Sequence, residues 1–151
     1  MALEIEHKYL VTSDKYKSLA TKVINIRQGY LSRHTDCTIR VRIANDKAFL
    51  TIKGRNSGDT RNEFEYALPM DEAMELLALC LPRVISKTRH IVPYMGNKWE
   101  VDEFHGDLEG LTIAEIELSS SDQRYEKPPF VGNNVTDDPK YYNSNLSQID
   151  N

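Results

Sequence analysis

Glu4, Glu6 and Lys8 stand at every second position of the run Leu3-Glu4-Ile5-Glu6-His7-Lys8-Tyr9, and this spacing constrains the fold more than any other feature. Residues two apart on a β-strand point to the same face, so two carboxylates and an ammonium share one side. Leu3, Ile5, His7 and Tyr9 take the other. The same division returns along the chain. One face carries Gln28/Tyr30, Arg40/Arg42, Thr51/Lys53, Arg61/Glu63/Glu65, Lys87/Arg89, Glu100/Asp102 and Glu115/Glu117. The opposite face holds Ile39/Val41/Ile43, Leu50/Ile52, Phe64/Tyr66, Trp99/Val101 and Ala114/Ile116/Leu118.

An antiparallel sheet commonly wets one face, and any one of these strands alone fits that description. The set as a whole does not. A solvated face mixes Thr, Ser, Gln and Lys, whereas this one is almost entirely ionisable. Its signs are also sorted, with acids on the first, seventh and eighth strands and bases on the third, fourth and sixth. Sorting of this kind suits closure into a barrel with a charged interior. Interior charges need partners, because an unpaired one is costly. A ligand with several phosphates together with a divalent metal satisfies both signs. Carboxylate oxygens are natural ligands of magnesium or manganese, and Arg and Lys of phosphate oxygens.

The chain has 151 residues and a net charge of -4, with 40% hydrophobic and 28% charged residues. These values fit one soluble domain over 1–151 and offer no basic surface for nucleic acid. Cys37 and Cys80 are the only cysteines. They have neither metal-type spacing nor a disulfide framework, and the expected compartment is reducing, the cytoplasm. No apolar run reaches membrane-spanning length, and the N-terminus lacks the regions of a signal peptide. An apolar exterior around a polar interior also describes a membrane barrel. Helices interrupting the strands argue against that, since they can cover the outer face, as could a homodimer.

Strands are expected at 2–10, 23–33, 37–44, 48–53, 61–68, 83–92, 98–104 and 112–119, with turns at Asn45-Asp46-Lys47 and Gly96-Asn97. Helical spacing predicts helices from Thr12 or Ser13 to about Lys22 and over 71–80. A short third helix could lie in the polar tail beyond Gly132. Short turns favour antiparallel pairing. The expected fold is mainly β: an eight-stranded antiparallel tunnel with a charged interior and a few flanking helices.

The block Glu4-Ile5-Glu6-His7-Lys8 resembles the ExExK signature of the CYTH, or triphosphate tunnel metalloenzyme, superfamily. Gln28-Gly29-Tyr30-Leu31, Ile39-Arg40-Val41-Arg42, Thr51-Ile52-Lys53-Gly54, Arg61-Asn62-Glu63-Phe64-Glu65, Lys87-Thr88-Arg89, Glu100-Val101-Asp102 and Glu115-Ile116-Glu117 follow in that family's order. A lone ExExK arises easily from alternating charges; eight ordered blocks do not. The compact length and the tail from Gly132 to Tyr141 most resemble the short bacterial inorganic triphosphatases.

The resemblance implies hydrolysis of a small-molecule triphosphate in a metal-dependent tunnel, with cyclisation of ATP and hydrolysis of thiamine or nucleoside triphosphates as related activities. A non-catalytic sensor of polyphosphate or nucleotide would not need the glutamates of the first and last strands. By analogy, Glu4, Glu6 and Glu117 are metal ligands, with Glu115 an additional candidate. Lys8, Arg40, Arg42, Lys53, Lys87 and Arg89 are phosphate ligands. Glu63, Glu65, Glu100 and Asp102 either order the basic side chains or hold metal-bound water. Lys8, Lys87 or a carboxylate takes the proton of the attacking water. Tyr30 either orients substrate or water or packs as a barrel aromatic. His7, His34, His90 and His105 are read as structural or solvent-exposed, and Trp99 as core.

Overall fold

The two-faced strands solve their packing problem by closing on themselves. A computed structural model of the chain describes residues 3–148. Its strands are β1 (Leu3–Val11), β2 (Lys22–His34), β3 (Cys37–Ala44), β4 (Lys47–Gly54), β5 (Thr60–Leu68), β6 (Leu81–Tyr94), β7 (Asn97–Phe104), β8 (Thr112–Glu117) and β9 (Val131–Asn134). They run in the order β5-β4-β3-β2-β6-β7-β8-β1-β9, and β1 also pairs with β5. Eight antiparallel strands therefore form a closed ring, which leaves no open edge within it. Ala2, expected at the start of the first strand, lies outside the described residues.

β1 makes the closure. Leu3, Glu4 and Ile5 pair with Asn62, Arg61 and Thr60 on one edge. Glu6 to Leu10 pair with Glu117 to Ile113 on the other. Where β5 ends, β9 continues the sheet beside Tyr9 and Val11. That ninth strand falls in a stretch with no alternating pattern, and the sequence does not predict it.

With the charges inside, the apolar core lies around the outside of the barrel. Helix α2 (Met70–Leu79) packs Ala73 and Leu77 onto Val41, Ile43 and Ala48. Its first turn carries Asp71 and Glu72, the sign that complements a helix N-terminus. A second cluster joins Tyr9, Trp99, Val101, Ala114 and Ile116 to Tyr16, Leu118 and Phe130. Here the cover is irregular chain running from Leu118 to Phe130, together with α1 (Tyr16–Leu19). Trp99 is fully buried, as expected. Burying each large side chain of this kind contributes about 1.5–3 kcal/mol.

Several boundaries move for identifiable reasons. α1 stops at Leu19 rather than reaching Lys22, because Thr21 donates its N–H to the Ile91 carbonyl and Lys22 already pairs with Ile91. β6 starts at Leu81 rather than Arg83, and β8 stops at Glu117. The β6–β7 turn is Met95-Gly96, one residue earlier than expected, and both residues have positive φ. Such a two-residue turn follows the twist of its strands, and glycine takes the left-handed conformation without steric cost.

Gly29, in the middle of β2, meets the end of α2. A Cβ there would lie 2.8 Å from the Cys80 Cβ and 2.9 Å from its Sγ. Gly29→Ala is expected to lower stability by about 1–3 kcal/mol through overpacking. Denaturant titration checks this, and an unchanged midpoint would show that the Cys80 backbone yields freely.

Candidate functional site

The inward faces of the strands surround a cavity of about 210 Å³. Its lining includes Glu4, Glu6 and Lys8 from β1, Tyr30 from β2, Arg40 and Arg42 from β3, and Lys53 from β4. Arg61, Glu63 and Glu65 come from β5, Arg89 from β6, Glu100 from β7, and Glu115 and Glu117 from β8. Of the residues singled out in the sequence, all but Lys87 and Asp102 therefore border the cavity. Those two share the inward parity of their strands but are buried beneath the lining, with side chains 0% and 1% exposed.

Pairing between strands sets most of the contacts. Cα register places Glu6 opposite Glu117, Lys8 opposite Glu115, and Glu115 opposite Glu100. Lys53 donates to both carboxylate oxygens of Glu4, at 2.9 and 3.0 Å, and lies 3.3 Å from Glu63. Arg40 and Glu65 meet through Thr51, whose hydroxyl accepts from Arg40 and donates to Glu65, each at 3.1 Å. Arg89 grips Asp102 through Nε at 2.8 Å and Nη2 at 2.9 Å, and reaches Glu100 at 3.2 Å. Lys87 sits 2.7 Å from the same Asp102 carboxylate. Each of Glu63, Glu65, Glu100 and Asp102 thus lies beside a basic side chain.

The electrostatics divide the cavity into two regions. On the acidic side, burial and the carboxylates of Glu115 and Glu4 push Glu6 up to about 8. Burial and Glu4 likewise raise Glu63, and burial with Glu4 and Glu100 raises Glu117. Crowded carboxylates in a low-dielectric wall resist ionising together. Glu4 escapes this: burial opposes its charge, but Lys53 holds it at about 2. Burial also opposes Glu115, which Lys8 with Arg89 and Lys87 keeps at about 2.

On the basic side the surplus is of cations. Arg42 donates Nε to the Gln28 carboxamide at 2.8 Å, and among the described residues no carboxylate lies within ion-pair distance of it. Burial, then Arg40 and Arg89, pull it down to about 9. The Arg40 Nε is buried and, among the described residues, has no hydrogen-bond partner. A half-buried guanidinium lacking an anion and an unpartnered N–H on its neighbour both suit oxygens supplied by a ligand.

The two lysines differ. Burial opposes the charge of Lys8, yet Glu115 and Glu6 raise it above the ordinary lysine value, so it stays an ammonium. Burial, aided by Arg89 and Arg42, brings Lys87 down to about 7 against the pull of Asp102. Its Nζ faces Asp102 and Asn143 rather than the cavity. His7, on the outward face beside Glu6, donates Nε2–H to Asp59 at 2.9 Å and thereby ties down the loop between β4 and β5.

Sequence reasoning missed two residues of the lining. Parity places Arg61 on the charged face of β5 but gives it no role; it borders the cavity with Glu63 and Glu65 and lies 3.7 Å from Glu4. Asn143 arrives from the tail, where no periodicity marks it.

A family model described as the CYTH domain matches residues 2–150. An inorganic triphosphatase of Acetivibrio thermocellus is 50% identical over 147 residues, covering 97% of this chain and 94% of the relative. An inorganic triphosphatase of Nitrosomonas europaea is 32% identical over 148 residues, covering 95% and 96%. Among solved structures, the inorganic triphosphatase NE1496 superposes with a TM-score of 0.69 at 29% identity, covering 97% and 98% of the two chains. A Hippeastrum protein described as a putative adenylyl cyclase with a dominant triphosphatase activity shares the fold, with a TM-score of 0.61 at 15% identity over 80% of each chain. With a family model spanning nearly its whole length and a half-identical relative beside it, this chain belongs to the CYTH domain family.

Proposed function

We propose that the protein hydrolyses inorganic triphosphate to pyrophosphate and phosphate inside the charged tunnel, with the help of a divalent metal. The observation that carries this reading is a single cavity with a half-buried guanidinium, Arg42, that has no carboxylate within ion-pair distance among the described residues on one side, and mutually repelling carboxylates on the other. A phosphate chain carrying a divalent cation satisfies both. Hydrolysis also agrees with the names of the two relatives.

Glu4, Glu6 and Glu117 would hold the metal, with Glu115 adjoining. No three acidic, His or Cys side chains among the described residues form a ready-made cage. The raised Glu6, Glu63 and Glu117 nevertheless fit a cation that relieves their repulsion, and Glu4 would exchange part of its contact with Lys53 for it. Magnesium and manganese both suit an all-oxygen set. When bound, the ion supplies charge neutralisation and an acidified water.

Lys8, Arg40, Arg42, Lys53 and Arg89 would bind the phosphate oxygens and stabilise the charge that moves onto the departing pyrophosphate. Asp102, itself held by Lys87, fixes Arg89 in place. Lys8 serves as a cation and Lys87 is turned from the cavity, so the lining carboxylates are the groups an attacking water can reach with its proton. Tyr30 borders the same space. The remainder of the lining is charged or carboxamide side chains, which favours an inorganic substrate over a nucleobase or thiamine. The thiols of Cys37 and Cys80 are free, which suits a reducing cytoplasm.

The test is phosphate release from tripolyphosphate, ATP and thiamine triphosphate with magnesium and with manganese. Tripolyphosphate is expected to turn over at least about tenfold faster than either organic substrate, a margin worth about 1.4 kcal/mol in the barrier. Faster release from ATP or thiamine triphosphate would reassign the substrate. Binding without turnover would make the protein a sensor.

A further inference from the structure

The inward faces of β6, β7 and β8 change from charged to apolar at one end of the barrel. Ile85, Phe104 and Ile113 follow the inward parity of Lys87, Asp102 and Glu115, and they cluster with Leu108 and with Leu146 of α3 (Asn143–Leu146). The tail has thus turned back into the barrel and closed this end. On the way in it makes three contacts with the basic side chains there. The Tyr141 carbonyl accepts from the Lys8 Nζ at 3.4 Å, the Tyr142 ring lies 5.6 Å from that Nζ, and the Asn143 Oδ1 accepts from the Lys87 Nζ at 3.2 Å.

The last contact decides which way the Asn143 amide faces. Lys87 donates to the Oδ1 atom at 3.2 Å, and its 2.7 Å contact with the Asp102 carboxylate favours the charged form, which only donates. The polar group left to Asn143, whose side chain borders the cavity, is the Nδ2 amide, and among the described residues it has no hydrogen-bond partner. This neutral two-proton donor borders the cavity together with Lys8, Arg42 and Arg89, and Glu115 lies 3.9 Å from both Lys8 and Arg89.

We propose that Asn143 is a substrate-contacting residue whose Nδ2 donates to a non-bridging oxygen of the phosphoryl group at the closed end of the tunnel. The tail thereby completes the site as well as sealing the barrel. The inference rests on the triphosphatase reading. It also gives Lys87 a definite role, since by holding Oδ1 it orients the donor.

The experiment compares wild type, Asn143→Ala and Asn143→Asp by calorimetric titration with tripolyphosphate without metal, and by steady-state kinetics with magnesium. Thermal melts confirm folding. Asn143→Ala is expected to weaken tripolyphosphate binding and raise KM about ten- to a hundredfold, the worth of a hydrogen bond to a charged group, with a smaller change in kcat. Asn143→Asp is nearly isosteric and keeps, even strengthens, the tie to Lys87, but it loses the donor. It should bind more weakly still. Normal binding and KM in Asn143→Asp with a defect only in Asn143→Ala would overturn the proposal and leave Asn143 as an anchor for the tail. Unchanged constants in both variants would overturn it too, with the triphosphatase reading intact. A wild type that neither binds nor hydrolyses tripolyphosphate would remove that reading and this inference together.

Discussion

Glu6→Gln is expected to reduce metal-dependent turnover of tripolyphosphate about a thousandfold, because the ion stabilises several kcal/mol of developing charge and Glu6 stands at the centre of the acidic wall. The effect should carry a pH signature. Burial with Glu115 and Glu4 raises Glu6 from an ordinary 4.5 to about 8. Between those values the metal-free folded protein retains a proton that the unfolded chain has released. Stability without metal should therefore fall as pH rises from about 4.5 to about 8, then level off. Glu6→Gln should flatten that decline. A metal ion must displace the same proton, so the half-saturating magnesium concentration of the wild type should fall as pH rises toward about 8. Magnesium titrations of activity at several pH values, with metal-free melts alongside, read both effects. Wild-type metal dependence in Glu6→Gln would remove Glu6 from the metal set.

Asp102→Asn is the substitution expected to cost most in stability. Asp102 is buried and lies on Arg89 and Lys87 at once, at 2.8 and 2.7 Å. Burial opposes its charge, but Arg89 and Lys87 hold it well below the usual carboxylate range. Removing the charge leaves Lys87 and Arg89 beside a third cation, Arg42, with the buried Glu115 carboxylate no nearer to Arg89 than 3.9 Å. Breaking a buried pair in this way costs about 3–5 kcal/mol, which lowers Tm by about 10 °C in a domain of this size. Tripolyphosphate should recover part of that loss by bringing anionic oxygens to the stranded cations, so its stabilising shift should be larger in Asp102→Asn than in wild type. Turnover should still fall, because Arg89 loses the partner that orients it. Differential scanning calorimetry with and without tripolyphosphate is the check. A small, ligand-independent change in Tm would show that Lys87 is neutral and Arg89 needs no buried partner.

Period-two alternation makes the site legible as a set of residues. Once a strand is recognised, parity alone assigns Glu4, Glu6 and Lys8 to one side and Ile5 and Tyr9 to the other, and sign sorting places those sides indoors. Arg61 obeys the same rule, and only the lack of an assigned role kept it out of the predicted site. Asn143 obeys no rule visible in one dimension. Its position depends on Leu146 finding the apolar end of a barrel whose strands lie far back in the chain. The unexpected β9 is similar: Val131–Asn134 has no alternation and exists as a strand because β5 leaves one edge of β1 exposed there.

Which side chains share a face is set along the chain alone, because the pleat has a fixed period and does not depend on what packs against it. The tunnel's chemistry, with acids and bases grouped by strand, is set there too. Tertiary structure alone decided which charges pair and which remain unsatisfied. Arg42 without an acid, Asp102 between two cations, Lys8 kept charged and Lys87 turned away follow from strand register, shear and burial, which depend on the closed ring as a whole. The same holds for the end of the tunnel. The cavity closes where a tail with no pattern of its own completes an apolar layer, and burial of Leu146 against Ile85, Phe104 and Ile113 is what brings Asn143 to the site.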